Sequence, residues 1–293
     1  MDGVLVVDKP EGWTSHDVVG KMRRIANTKK IGHLGTLDPI ATGVLPLVVG
    51  RATRLAQFYT RSDKIYEALV RFGFSTETYD RAGAPTSPET EPCVGAQDLE
   101  RLLDSFRGEI LQAPPPVSAK KVAGVRAYAL VRRRIAVDLP PAPVHIHDLT
   151  LLELRGSEAR LRAHCSGGTY MRSIAHDLGQ ALGCGAHLRE LRRIASAEFT
   201  LAQAQTIPQL QQLAAEDRLP EALIPAARML PDFPTVYVES LTAGQIRQGR
   251  NFPVSPFRLQ QGARYLKAVS GDGELIAIGE SVLPNLYHPL VVL

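Results

Sequence analysis

The part of this sequence best suited to chemistry runs from Gly32 to Gly43 and has the sequence GHLGTLDPIATG. It contains a single carboxylate, Asp38, among glycines, threonines and a proline, and it precedes the apolar run Val44–Val49. Pro39 directs the residue before it toward an extended backbone, and the glycines let a ligand approach the chain closely. These features suit a carboxylate nucleophile, although a surface turn whose aspartate caps a backbone amide has the same composition.

Basic residues are concentrated around this carboxylate. Residues 20–61 include eight Lys and Arg and one Asp, and residues 107–134 include seven Lys and Arg and one Glu. The net charge of the whole chain is only +4, so the remaining residues are acidic on balance. Nearby cations favour the ionised form of a carboxylate, and concentrated positive charge suits a polyphosphate partner. Two solvated faces of Lys and Arg would give the same counts.

The composition argues against cofactor and metal chemistry. The three cysteines have no C-x-x-C spacing, and no glycine-rich phosphate loop of the Walker or dinucleotide type is present. The eight histidines are scattered, and His145 and His147 share a strand face without an obvious carboxylate partner. We therefore expect a site without cofactor or metal. The sequence has no apolar run long enough for a bilayer and no basic leader, so we expect no membrane association and a cytoplasmic protein.

Short strands and helices alternate around the candidate residues. A buried strand over Val4–Val7 precedes a helix capped by Thr14 or Ser15, and a strand over Ile65–Phe74 has Tyr66 on its apolar face. Other predicted elements are a helix after Asp98 stopped by Gly108, strands over Val144–Leu154 and Ala159–Cys165, a helix beginning near Met171, a helix over Leu241–Gln248, and a hairpin of Tyr265–Val269 with Leu275–Ile278. This pattern by itself indicates an α+β fold.

Two proline-rich segments divide the chain. The run Ala113–Lys121 contains three consecutive prolines and cannot be helical, whereas Ala127–Arg134 is predicted to form a short helix ending in three arginines. Prolines recur from Pro208 to Pro234, and we place the domain boundary near the end of that stretch. The predicted domains are residues 1–232 and residues 233–293, the second a small β-rich barrel.

Six motifs follow one another between residues 4 and 193. They are Asp8-Lys9-Pro10-x-Gly12, Gly32–Gly43, Asp63-Lys64-x-Tyr66, Thr76-x-Thr78-x-Asp80-x-x-Gly83, Cys165-Ser166-x-Gly168-Thr169-Tyr170-x-Arg172-Ser173-Ile174, and Gly183–Leu188 with Leu191-Arg192-Arg193. In type and order they resemble the TruB-type tRNA pseudouridine synthases. The resemblance implies a pseudouridine synthase fold with a mainly antiparallel central sheet flanked by helices. The tail resembles a PUA-type RNA-binding module, and residues 115–134 are the candidate for the RNA-gripping insertion common in the family.

The resemblance also implies an activity. A uridine in the T-loop of tRNA, at position 55, would be isomerised by breaking its C–N glycosidic bond and rejoining the uracil through C5. The T stem-loop of tRNA is then the partner, no cofactor is needed, and the chain is expected to act as a monomer without an obligatory protein partner.

Roles for three residues follow from the same resemblance. Asp38 would be the nucleophile, and attack at C6 of the base, attack at C1′ of the ribose and removal of a sugar proton all stay open. Tyr66 would lie against the target base and could also assist removal of the C5 proton, and the stacking role is favoured because a phenol with a pKa near 10 is a poor base at neutral pH. Arg172 would pair with Asp38 and keep it charged. Without the motifs, Tyr66 would be an ordinary strand aromatic and Arg172 a solvated helix residue.

In addition to Tyr66, five residues match positions that bind the substrate in the family that the sequence resembles. His33 would fill the gap left by the extruded nucleotide, since extrusion requires something to replace the lost stacking. Tyr170 and Leu191 would contact the substrate. Lys9 and Lys121 would contact phosphate or brace the loop.

Two other functions are open alternatives. One is an RNA-binding or RNA-folding protein with a vestigial pocket, which the joint presence of Asp38, Tyr66 and Arg172 argues against. The other is the guide-RNA-dependent relative that works inside a multiprotein particle. The sequence Ile40-Ala41-Thr42 after the Asp-Pro pair and the compact tail favour the stand-alone enzyme. Val117–Lys121 departs from the family pattern, because it lacks an aromatic residue before the serine and has a lysine where an apolar residue is common.

Overall fold

The computed structural model describes residues 1–117, 140–255 and 263–293, together with the backbone of two short strands, Lys121–Val122 and Val125–Arg126. The predicted helix over residues 127–134 and the side chain of Lys121 lie outside this description. Within it, helices occur together with strands that pair mainly antiparallel, which confirms the α+β class. None of the helices in these ranges has the length and apolar character needed to span a bilayer.

The described elements have the following bounds. The strands are β1 (Gly3–Lys9), β2 (Ile31–His33), β3 (Ala41–Val49), β4 (Lys64–Phe72), β5 (Gly108–Gln112), β6 (Lys121–Val122), β7 (Val125–Arg126), β8 (Ala142–Arg155), β9 (Glu158–Cys165), β10 (Ala186–Ser196), β11 (Phe199–Thr200), β12 (Ile224–Pro225), β13 (Thr235–Val238), β14 (Phe252–Pro253), β15 (Tyr265–Ser270), β16 (Leu275–Leu283) and β17 (Leu286–Val292). The α-helices are α1 (Ser15–Ile25), α2 (Ala96–Asp104), α3 (Met171–Ala181), α4 (Ile207–Ala215) and α5 (Ser240–Arg247). Short 3-10 helices cover Gly50–Tyr59, Leu201–Gln203, Leu219–Ala222 and Ala226–Arg228.

A ten-stranded sheet organises the larger part of the chain. Its strands follow the order β12-β1-β3-β10-β4-β9-β8-β5, with β2 also paired to β3 and β11 to β10. The pairing of β10 with β3 is parallel, and the other described pairings in this sheet are antiparallel. The expected mainly antiparallel central sheet is therefore confirmed. The parallel pair places Arg193 opposite Gly43, at the start of the strand that follows the Asp38 segment.

Local sequence explains the elements that flank the site. Along β4, buried and half-buried residues alternate strictly, and Tyr66 is on the buried side as predicted. The predicted cap of α1 is Thr14, whose hydroxyl accepts the Asp17 N–H at 3.1 Å while the Asp17 carboxylate accepts the Thr14 N–H at 2.9 Å. This capping box fixes where α1 begins, and so it fixes the position of Ser15.

The C-terminal part forms a second sheet, with five strands in the order β13-β15-β16-β17-β14. The predicted hairpin is its antiparallel β15–β16 pair. Some of its buried residues share a hydrophobic core with β1 and β3, in which Val269 and Ile278 belong to the same cluster as Val4 and Val44, and others, including Leu266 and Ile276, form a separate cluster. The second sheet begins at β13, after the boundary predicted at residue 232. That boundary and the PUA-like character of the tail stay predictions.

Two details differ from the sequence expectations. The helix expected after Asp98 begins at Ala96 and ends at Asp104, whereas Gly108 opens β5. The sequence pattern also gave no strand over residues 186–196, yet β10 lies in the middle of the main sheet between β3 and β4.

Candidate active site

The loop that carries Asp38, residues 34–40, joins β2 to β3 and is fixed by hydrogen bonds along its backbone. The Ser15 hydroxyl accepts the Leu37 N–H at 2.8 Å and donates to the Leu37 carbonyl at 3.1 Å. The Pro39 carbonyl accepts a backbone N–H from the turn before α1 at 2.8 Å. The Leu37 side chain is buried. The aspartate is therefore held on a rigid loop, as preorganised chemistry requires.

Arg193 of β10 supports this loop from the other side and is almost completely buried. Its guanidinium donates to the carbonyls of Val44 at 2.7 Å, Gly35 at 3.1 Å and Thr36 at 3.4 Å. β10 lies so close to β3 that a Cβ on Gly43, whose φ is +98°, would be 2.2 Å from the Arg193 carbonyl oxygen. Gly43 is thus required because another strand packs closely against it. The sequence analysis had instead assigned the glycines of this segment to the approach of a ligand.

Lys9 lies behind the same loop and is fully buried. Its ammonium donates to the carbonyls of Trp13 at 2.6 Å, Pro10 at 2.9 Å and Pro39 at 3.4 Å. Burial lowers its pKa to about 8. An ammonium enclosed in this way braces the loop and is not presented to a phosphate, so its placement favours the bracing alternative. The side chain of Lys121 is outside the described residues.

Arg172, in the first turn of α3, links Asp38 to the protein interior. Its Nε is 2.9 Å from Asp38 Oδ2, and its guanidinium is 3.6 Å from Asp80 Oδ2. The first contact is a close ion pair without the alignment of a hydrogen bond. Arg172 also donates to the carbonyls of Thr78 at 3.2 Å and Val117 at 2.9 Å. The side chain is only 5% exposed, so Arg172 is not a solvated helix residue.

Asp80 is a member of this network to which the sequence analysis gave no role. Its carboxylate accepts the Thr78 hydroxyl at 2.6 Å and the Ala82 N–H at 3.0 Å, and its carbonyl accepts the Thr76 hydroxyl at 2.6 Å. The carboxylate is therefore buried and satisfied by hydrogen bonds within the protein, and it contacts a different nitrogen of the Arg172 guanidinium from the one that contacts Asp38. The Thr-x-Thr-x-Asp spacing was the signal that could have identified it.

A cleft of about 550 Å³ opens over Asp38. Its charged lining residues in the described part of the chain are Asp38 and three cations, Lys64, Arg172 and Arg193. Burial lowers the pKa of Lys64 to about 8. Tyr66 forms part of the wall, and burial raises the pKa of its phenol although the Arg193 guanidinium opposes this. The phenol is therefore protonated at neutral pH, which favours its role as a surface for the base over that of a general base.

The other predicted substrate contacts, His33, Tyr170 and Leu191, line the same cleft. His33 ends β2 and makes an edge contact with His16, with ring centroids 6.1 Å apart. The backbone of Tyr170 is fixed by the Gln112 amide, which accepts its N–H at 2.8 Å and donates to its carbonyl at 3.1 Å. Leu191 is on β10 and is 8% exposed. Residues from distant segments of the chain thus meet around one carboxylate.

The sequence of the site and its surroundings is that of a known family. Residues 23–171, about half of the chain, match the family model described as TruB family pseudouridylate synthase, N-terminal domain. The chain belongs to the TruB family. Residues 172–231 also match the model of the tRNA pseudouridylate synthase B C-terminal domain.

Curated relatives of this TruB-family chain match it over nearly its whole length. The tRNA pseudouridine synthase B of Solibacter usitatus is 70% identical over 293 residues, which is 100% of both chains. The tRNA pseudouridine synthase B of Aquifex aeolicus is 38% identical over 282 residues, which is 96% of both. The resemblance inferred from the motifs is confirmed.

Solved structures extend the match to the TruB-family fold. The crystal structure of a Cbf5-Nop10-Gar1 complex contains a chain that is 28% identical with a TM-score of 0.73, covering 97% of this chain and 79% of that one. An H/ACA RNP bound to a substrate RNA containing 2′-deoxyuridine gives a TM-score of 0.72 at 26% identity, covering 96% and 78%. The expected pseudouridine synthase fold is therefore confirmed.

The expected contribution of the Tyr66 ring to RNA binding in this TruB-family cleft can be tested separately from that of its hydroxyl. Tyr66→Ala is expected to weaken binding of unmodified tRNA by about tenfold or more, since stacking of a base on an aromatic ring contributes roughly 1–3 kcal/mol. Tyr66→Phe, the matched control, keeps the ring and should bind within about threefold of the parent. Filter binding at fixed salt measures both, and equal affinity of the Ala variant would remove the stacking role.

Proposed function

We propose that the chain isomerises a uridine in the T stem-loop of tRNA, at position 55, to pseudouridine, with Asp38 as the nucleophile. The observation that carries the proposal is the geometry of Asp38, whose side chain is 35% exposed to the cleft and 2.9 Å from the Arg172 guanidinium. Family membership supports the reaction class. The name tRNA pseudouridine synthase B on relatives that match the full length supports tRNA as the substrate.

The chemistry follows from the charges around Asp38. The ion pair with Arg172 holds the carboxylate in place at the wall of the cleft. A nucleotide that reaches it must leave its base stack, and Tyr66 and His33 offer ring surfaces in the cleft that replace the lost stacking. The carboxylate then adds to C6 across the C5–C6 double bond of the uracil, or attacks C1′ and displaces the uracil, or removes a ribose proton as the uracil leaves. On each route the C1′–N1 bond breaks, C1′ rejoins the ring at C5, and C5 gives up its proton, so that all three begin with the same Asp38 side chain.

We propose that one chain is sufficient for this reaction and that it works in the cytoplasm, where tRNA is processed. Asp38, Tyr66 and Arg172 come from different segments of a single chain and line one cleft. Relatives that match end to end are named as tRNA enzymes, whereas the Cbf5 chains are longer and were solved in complexes with other proteins. This comparison argues for the stand-alone enzyme over the guide-RNA-dependent subunit.

The deciding experiment uses purified protein and an unmodified tRNA transcript without metal, cofactor or other protein. We expect a single new pseudouridine in the T-loop, found by chemical mapping of the product RNA. A transcript whose target uridine is replaced by cytidine serves as the control and should gain none. Tight tRNA binding with no pseudouridine at any position would favour an RNA-binding or RNA-folding protein and overturn the proposal.

Binding to tRNA is also expected to depend steeply on salt. Residues 20–61 carry exposed cations, among them Arg23, Arg24, Lys29 and Arg61, that can displace counterions from RNA phosphates. If about five phosphates are neutralised, raising monovalent salt from 50 to 200 mM should weaken binding by roughly 10²-fold to 10³-fold. Titrations at several salt concentrations give the slope. A flat response would contradict a phosphate-driven interface.

A further inference from the structure

Three side chains outside the cleft converge at the start of β4. They are Asp63, just before that strand, His147 on β8 and His164 on β9. Their potential ligand atoms all lie within 4.8 Å of one another. None of them lines the cleft over Asp38 in the described part of the chain. We propose that this cluster is a binding site for a divalent transition-metal ion of the Zn²⁺ type.

The distances in the cluster match a metal site. His147 Nε2 is 3.1 Å and His164 Nε2 is 3.4 Å from the same carboxylate oxygen, Oδ2 of Asp63. Ligands about 2.0–2.1 Å from a tetrahedral Zn²⁺ are separated from one another by roughly 3.3 Å. The two distances to the carboxylate oxygen fit this geometry, and all three potential ligand atoms lie close enough together for a single ion to be bound by the two imidazoles and the carboxylate. Its remaining positions would be open to water.

A β-bulge brings His147 into this cluster. On β8, Ile146 pairs with Cys165 and Asp148 pairs with His164, so His147 is an extra residue opposite β9. The burial pattern shows the same interruption of the strand's alternation. His147 and Asp148 are both exposed, although they lie between the buried Ile146 and the next buried residue. A bulge redirects a side chain relative to its strand, and bulges are common where a site needs a side chain redirected.

Neighbouring contacts hold the other ligands in place. His164 pairs with Ile65 of β4, which is two residues after Asp63 in the chain. The Asp63 carbonyl accepts the Ala197 N–H at 2.9 Å. The ring of His145 packs on that of His147 with centroids 4.6 Å apart. The backbones of the cluster are thus fixed by the sheet before any ion binds, which lowers the conformational cost of binding.

The chemistry of the ligand set selects the class of ion. Two imidazoles and a carboxylate suit Zn²⁺ and its neighbours, whereas Mg²⁺ and Ca²⁺ prefer oxygen ligands. The three side chains are 35% to 46% exposed, so an ion can reach them from solvent. The sequence analysis found no carboxylate partner for His147 because Asp63 comes from a distant part of the chain. The cluster lies outside the cleft over Asp38, so the expectation that the catalytic site needs no metal does not apply to it.

The test is metal titration of the full chain, with Co²⁺ as a spectroscopic probe and Zn²⁺ measured by calorimetry. A Cys93→Ser background removes an exposed thiol that could bind either ion. We expect one ion per chain and a visible Co²⁺ spectrum that Zn²⁺ abolishes. The thermal midpoint should rise by about 5 °C at 100 times the dissociation constant.

Variants assign the ion to the cluster. His147→Gln, His164→Gln and Asp63→Asn should each weaken Zn²⁺ binding by at least about tenfold. His288→Gln, which removes an exposed histidine paired with Asn251, should leave it unchanged. Binding that is unsaturable, or equally strong in all four variants, would overturn the proposal. Circular dichroism confirms that each variant folds, and the three ligand variants test the site independently.

Discussion

Asp38→Asn is expected to lower the single-turnover rate of pseudouridine formation by at least about 10⁴-fold, while tRNA affinity changes by less than about tenfold. The amide has nearly the same shape as the carboxylate but carries no charge and is a poor nucleophile. Since the Asp38 loop is fixed by Ser15 and Arg193, the substitution should leave the cleft intact. Single-turnover assays and filter binding on the same preparation separate the two effects.

A carboxylate outside the cleft provides the matched control. Asp104 ends α2, pairs with Arg107 and has a side chain that is 65% exposed. Asp104→Asn removes the same charge and should leave both rate and affinity unchanged. An Asp38→Asn protein with full turnover would refute the assignment of the nucleophile. Equal losses of rate and affinity would instead indicate that Asp38 acts mainly in binding.

Much of the site could be predicted because its motifs are local. The loop around Asp38, the strand with Tyr66 and the helix that begins after Tyr170 each have a short sequence signature. Turn chemistry, strict alternation on β4 and the apolar stripe of α3 indicate these elements without long-range information. The pairing of Arg172 with Asp38 came from the family resemblance, since the two residues are far apart in sequence.

β10 could not be predicted because its sequence does not look like that of a central strand. Four of the five residues from Arg189 to Arg193 are charged, which suggests exposure, and two register shifts interrupt the alternation of the strand. Arg193 is nevertheless buried, because its guanidinium serves the carbonyls of the Asp38 loop. Lys9 is buried for the same reason, because its ammonium donates to carbonyls of the residues around the site. Hydrophobic periodicity cannot predict the burial of such a cation, since the reason for the burial is its hydrogen bonding.

The second prediction concerns Arg172, whose guanidinium contacts Asp38, Asp80 and two carbonyls at once. Arg172→Gln leaves the buried Asp80 without its cation and frees Asp38 from its fixed position. Breaking a buried ion pair in this way is expected to lower the free energy of unfolding by about 3–5 kcal/mol. Misplacement of the carboxylate should lower the rate by about 10²-fold. Urea unfolding and single-turnover kinetics measure the two losses, and Arg101→Gln, a highly exposed arginine, should show neither.

A double-mutant cycle then tests whether Asp80 acts through Arg172. Asp80→Asn alone leaves the guanidinium buried with one carboxylate fewer, so it should also be destabilising. The double variant Asp80→Asn with Arg172→Gln removes both buried charges, and its loss of unfolding free energy should be smaller than the sum of the single losses by about 1–3 kcal/mol. Additive losses would mean that the two residues stabilise the fold independently, and the 3.6 Å contact between them would then have no energetic role. Coupling in the rate as well would show that the buried carboxylate positions Arg172, which in turn positions Asp38.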